Sequence, residues 1–172
     1  IAFKAAQLQS NEKAILFLRE IREMVFLQKK NIAKWEHLEA AAKIVGLNVE
    51  QFKKDFEGKA KELFQEDLKL GKELGVRGFP TMFFVDDKGN KEFVYGSKPY
   101  SFYEVAVLKL APTATKTEYK KGWEELFAKF STLTAKEFAE LSITPRKESE
   151  QFLNDLTAKG KLEKHTTKNG AI

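Results

Sequence analysis

From Ile1 to Leu74 apolar residues recur at the helical period, and then the pattern switches to a short, unbroken apolar run. Ile1 to Gln9 reads as a helix that begins without a capping residue. After Ser10-Asn11 a second helix is predicted over Glu12 to Lys29, with Ala14, Ile15, Leu18, Ile21, Val25 and Phe26 on one stripe. Phe17, Met24 and Leu27 widen that stripe, which predicts more than one neighbour. Lys34 to Val45 forms a third helix, ended by Gly46. Asn48-Val49-Glu50-Gln51 has the form of a capping box and opens a short helix to about Glu57, with Gly58 as punctuation. Lys59 to Leu74 follows, placing Ala60, Leu63, Phe64, Leu68, Gly71 and Leu74 on one side. A glycine inside a helix costs about 1 kcal/mol against alanine, so Gly71 predicts close packing with a neighbour.

The switch comes at Gly75-Val76-Arg77-Gly78-Phe79-Pro80-Thr81, followed by Met82-Phe83-Phe84-Val85. Proline donates nothing to a sheet ladder, so Pro80 belongs at the head of a strand. Asp86 to Asn90 is a turn and Lys91 to Tyr95 the returning strand of a hairpin. Gly96 breaks that strand, and Tyr100 to Leu110 reads as a helix. Helix, proline-headed strand, hairpin and helix are the order of the second half of a thioredoxin fold, within an α+β class.

Beyond Ala111-Pro112-Thr113-Ala114-Thr115, a small, polar linker, the pattern changes character. A helix is predicted over Lys116 to Phe130, with Tyr119, Trp123, Leu126, Phe127 and Phe130 on one face. Thr134-Ala135-Lys136-Glu137 is a capping box opening a short helix to Leu141. Thr144-Pro145 predicts an N-cap with proline at the first helical position. That last helix is expected to bury Ser149, Phe152, Leu153 and Leu156 and to end at Gly160. Lys161 to Thr166 reads as a strand and Asn169-Gly170 as a hairpin turn. Residues 113–172 are therefore expected to form a small winged-helix-like domain.

Composition narrows the chemistry. With 172 residues, 42% hydrophobic and 15 Phe, the chain can build one domain and a smaller second one. The net charge of +5 is mild, and basic and acidic residues are interleaved, which argues against a nucleic-acid footprint. Arg146 and Lys147 at the head of the last helix share their face with Glu148, Glu150 and Asp155, a mixture that sets carboxylates against phosphates. No apolar run approaches the roughly 20 residues of a membrane helix. The sequence has no cysteine, and its two histidines, His37 and His165, lie far apart without metal-ligand spacing. No catalytic residue, metal ligand or cofactor motif is evident.

The residues Val76-x-Gly78-x-Pro80-Thr81, after a helix and before a short apolar strand, resemble the cis-proline loop of DsbA-like thioredoxin proteins. Ala2 to Gln9, Lys29 to Ile32 and Gln51 to Phe56 look like the helical insertion of the FrnE-type branch, here residues 1–74. The cis-proline hairpin and helix would then span 75–112. The layout with a small C-terminal domain is similar to that of ClpXP adaptor proteins, which deliver the regulator Spx for degradation. The resemblance implies that Arg77, Gly78, Phe79, Pro80 and Thr81 line a site for a protein or peptide segment, in the cytoplasm and with no cofactor. For Phe79, plain packing is an equal alternative. The family's Cys-x-x-Cys is absent from these residues.

Three functions compete. The first is a thiol–disulfide oxidoreductase whose thiols lie outside this chain, since exchange needs a thiolate. The second is a non-catalytic adaptor that holds another protein, which the appended module favours. The third and weakest is a DNA-binding regulator. A lone two-stranded hairpin is marginal in water, so either an upstream segment or a second copy of the chain, in a homodimer, is expected to cover its edge.

Overall fold

The computed structural model describes residues 1–167 and 170–171. The chain divides into two compact units: Ile1–Arg22 with Asn31–Lys116, and Glu23–Lys30 with the residues from Thr117 onward.

The first unit opens with α1 (Ala2–Gln7) and the longer α2 (Asn11–Phe26), whose last turn belongs to the second unit. Lys29 at φ +56° stops the chain after α2, with the Lys30 amide bonded back to the Met24 carbonyl, so the helix ends short of the predicted Lys29. Helix α3 (Trp35–Ile44) is followed by α4 (Val49–Glu57) and α5 (Lys59–Glu73). Helices α1, α4 and α5 pack on one another, and α3 packs on α4. Their core is aromatic: Phe17 and Phe52 are fully buried, with Trp35 stacked on Phe52 at 5.6 Å.

Two expectations for these helices are corrected. Asn48 does cap α4, accepting from the Gln51 amide at 2.9 Å, but the Gln51 side chain turns forward to Asp55 instead of back. Gln9, in the turn after α1, completes the cap, accepting from the Asn48 amide and donating to its carbonyl. The second correction is Gly71: a Cβ built there meets nothing within 4 Å, so no neighbour requires the glycine. The far half of α5 is open, leaving Leu68 and Leu70 exposed. Gly71→Ala should therefore stabilise the protein by about 1 kcal/mol, raising the thermal midpoint by a few degrees. An unchanged or lower midpoint in a calorimetric scan would contradict this.

The hairpin consists of β1 (Thr81–Val85) and β2 (Lys91–Tyr95), antiparallel with Phe83 opposite Phe93 and Met82 opposite Val94. Asp86 ties its turn, accepting from the amides of Lys88 and Asn90 and from the Asn90 side chain. The side-chain bond from Asn90, with those backbone amides, holds the Asp86 carboxyl below its ordinary range. Gly89, at φ +83°, supplies the left-handed turn position. Helix α6 (Tyr100–Leu110) lies across one face of the hairpin, where Val94 is buried and Glu92 pairs with Lys109 at 3.0 Å.

In the second unit α7 spans only Trp123–Lys129, against the predicted start at Lys116. Gly122 takes the N-cap with an extended backbone, and a glycine inside the longer helix would have been unfavourable. Tyr119 instead donates to the Leu141 carbonyl at 2.6 Å. Helix α8 (Ala135–Ser142) has the full capping box of Thr134 and Glu137, and α9 spans Arg146–Ala158. Leu126, Leu133 and Phe138 form the core, with Trp123, Phe127, Leu141 and Leu153 against it. Ser149 and Leu156 are buried as expected, whereas Phe152 is partly exposed and stacks on Phe138 at 5.9 Å. Thr144 does not cap α9; Pro145 occupies that position, and the Thr144 hydroxyl turns to the Ser142 carbonyl. Between α8 and α9, Ile143 sits in the left-handed region at φ +57°, a strained place for a β-branched side chain.

The predicted strand over Lys161 to Thr166 is reduced to β3 (Thr166–Thr167), paired with β4 (Gly170–Ala171). The physical reason is the end of α9: Gly160 turns left-handed and the Lys161 amide bonds back to the Leu156 carbonyl, closing the helix. The Asn169 part of the predicted turn lies outside the described residues.

Candidate functional site

Helix α5 ends at Glu73 with Leu74 as its C-cap, and Gly75 at φ +67° turns the chain out of it, with the Val76 amide bonded to the Gly71 carbonyl. The loop that follows contains the cis peptide Phe79–Pro80. Three contacts hold it. The Thr81 hydroxyl donates to the Gly78 carbonyl at 2.7 Å. The Gly96 amide donates to the Pro80 carbonyl at 2.8 Å, anchoring the loop to the end of β2. Gly78 lies against the Tyr95 ring, so closely that a Cβ there would stand 2.9 Å from the phenol oxygen.

This clamp fixes the backbone while leaving the side chains outward. Phe79 is 91% exposed, the most exposed large apolar side chain among the described residues. Within the described residues Phe79 is not packed into a core. Arg77 is exposed and is the one charged residue between Gly75 and Val85. Pro80 is exposed too, while Gly78 and Thr81 are half-buried on the inner side of the loop. The five residues read from the sequence run from the loop into Thr81, the first residue of β1. Tyr95 and Gly96, which hold the loop, read in the sequence only as the end of a strand. Their signal was the strand register, which sets Tyr95 opposite Thr81.

Chemically the loop offers an aromatic ring, a cation and a rigid backbone, and no nucleophile or acid–base pair. His37 is engaged with the Asn31 carbonyl at 2.8 Å. Among the described residues no cluster of His, Asp or Glu is arranged to hold a metal, and no helix is long and apolar enough to cross a membrane. Such a surface suits recognition of another chain.

A family model described as Thioredoxin matches residues 1–105. A ClpXP adapter protein SpxH of Halalkalibacterium halodurans is 31% identical over 166 residues, which are 95% of this chain and 54% of the relative. The protein of the same name from Bacillus cereus is 32% identical over 168 residues, 95% of this chain and 56% of its own. That of Bacillus subtilis is 31% identical over 175 residues, 99% of this chain and 58% of its own. The chain spans about half the length of the curated relatives it matches. The relatives carry the name of adapter proteins, the second of the three functions weighed from the sequence. With the proline-headed hairpin, its covering helix and the family match over residues 1–105, the chain belongs to the thioredoxin family.

Proposed function

We propose that this protein is a non-catalytic, protein-holding adaptor that presents a client to the ClpXP protease in the cytoplasm, with Spx as the client. The observation that carries the reading is Phe79, 91% exposed on a loop whose backbone is clamped on both sides. A large aromatic side chain on a rigid support loses little conformational entropy on binding, which is the character of an interface hot spot. Arg77, Gly78, Phe79, Pro80 and Thr81 form the client-contacting loop in this reading. Residues 1–74 are the helical insertion of a DsbA-like fold, residues 75–112 its cis-proline hairpin and helix, and residues 113–172 a winged-helix-like module that contacts protein. The pairing of Arg146 with Glu150 at 2.8 Å supports a protein role for that module over a DNA role, because it offsets the cation at the head of α9.

The test is reconstituted degradation. Purified ClpXP is given Spx with and without the intact protein, and Spx loss is followed on gels. Faster loss in its presence is expected, with a thioredoxin-fold protein lacking the exposed aromatic as control. An unchanged degradation rate would overturn the adaptor reading.

A further inference from the structure

A second surface lies on the other strand of the hairpin. The Asp86 amide bonds to the Asn90 carbonyl and the Gly96 amide to the Pro80 carbonyl, which sets the phase of the ladder. Antiparallel pairs alternate between bonded and non-bonded. With Phe84 opposite Glu92 and Met82 opposite Val94, those pairs exchange hydrogen bonds inside the hairpin. The amides and carbonyls of Lys91, Phe93 and Tyr95 therefore point to the outer edge of β2, where no further strand pairs among the described residues. Beside that edge runs a groove of about 360 Å³ between β2 and α6, walled by Phe102, Val105 and Ala106. Lysines stand along it. Lys91 and Lys98 are exposed, Lys98 lies over the Phe102 ring at 5.7 Å, and the one lining carboxylate, Glu92, is paired with Lys109.

We propose that this edge takes an extended segment of a partner protein, apolar at alternate positions and acidic at its ends, as a third strand. Strand addition draws affinity from main-chain hydrogen bonds and specificity from pockets for alternate side chains. Here every second side chain enters the apolar groove against Val105, and the flanking carboxylates meet Lys91 and Lys98. The lysines select this occupant over a second copy of the chain, since two like-charged edges repel. The outer edge of β1, Thr81–Val85, carries no lysine. Apart from Tyr95, whose ring backs the cis-proline loop, this site shares no residue with that loop, and it does not depend on the adaptor reading.

The probe is a synthetic peptide of alternating Val and Thr with a pair of Glu at each end, compared with the same peptide ended by Lys. Binding to the intact protein is measured by fluorescence anisotropy at low salt, and backbone protection by amide exchange. The Glu-ended peptide should bind at least tenfold tighter and slow exchange at Phe93 and Tyr95. Lys98→Glu should reverse the preference, and Val105→Glu should weaken the Glu-ended peptide tenfold or more. Both side chains are exposed, so both variants should keep the parent melting temperature. Equal binding of the two peptides, protection at Phe83 in place of Phe93, or protection that needs no peptide and grows with protein concentration would each overturn the proposal.

Discussion

Replacing Phe52 with Ala should destabilise the helical part of the protein by about 3–5 kcal/mol, the range for deleting a buried aromatic ring. Phe52 is 0% exposed, and its ring lies 5.3 Å from Phe17, 5.6 Å from Trp35 and 6.4 Å from Phe56. Removing it deprives three rings of their shared neighbour, and the helices around them relax only partly into the space. Against a total stability of about 5–15 kcal/mol, that loss leaves little margin. Urea denaturation followed by tryptophan fluorescence is well suited, because Trp35 reports from the same cluster. Phe26→Ala is the control: that ring is 71% exposed, and its removal should change stability by only about 0.5 kcal/mol or less. A loss below about 1 kcal/mol for Phe52→Ala would show that the aromatic cluster does not hold the helices together.

The second large effect concerns binding and leaves stability alone. On the proposed adaptor reading, Phe79→Ala should weaken binding of Spx at least tenfold, which is about 1.4 kcal/mol, and slow ClpXP-dependent loss of Spx accordingly. Its melting curve should overlie that of the parent, because a side chain 91% exposed contributes almost nothing to the core. Phe79→Tyr, which keeps the ring, should bind nearly as well as the parent. Titration calorimetry on the three proteins separates the contributions. Equal affinity of the Ala variant and the parent would remove the loop from the interface, even if the adaptor activity itself stood.

Local chemistry made several elements legible in the chain alone. The hairpin is one: an apolar run headed by Pro80, a turn of Asp86 to Asn90 and a second run to Tyr95 admit few other arrangements. Helix α6 and the Thr134–Glu137 capping box are likewise where the residues put them. Two of the misses share a cause. Gln51 stands in the position of a reciprocal cap, but Gln9, 39 residues away from Asn48, supplies those bonds. The stripe from Tyr119 to Phe130 has helical spacing, yet the Tyr119 hydroxyl finds the Leu141 carbonyl and Gly122 lets the chain stay extended. In each case a partner distant in sequence offered a better bond than the local pattern did.

The candidate site divides the same way. The sequence by itself determined that a proline-bearing loop leads into an apolar strand, that no thiol stands within these residues, and that the residues of the loop carry one charge. Periodicity, glycine and proline act within a few residues of themselves, so such features survive without knowledge of the fold. Only the tertiary structure decided that Phe79 faces solvent, that Tyr95 and Gly96 clamp the loop from the opposite strand, and that the edge of β2 opens onto a groove beside α6. Those depend on strand register and on where a covering helix stops, which are set by packing across the hairpin and by no single stretch of the chain.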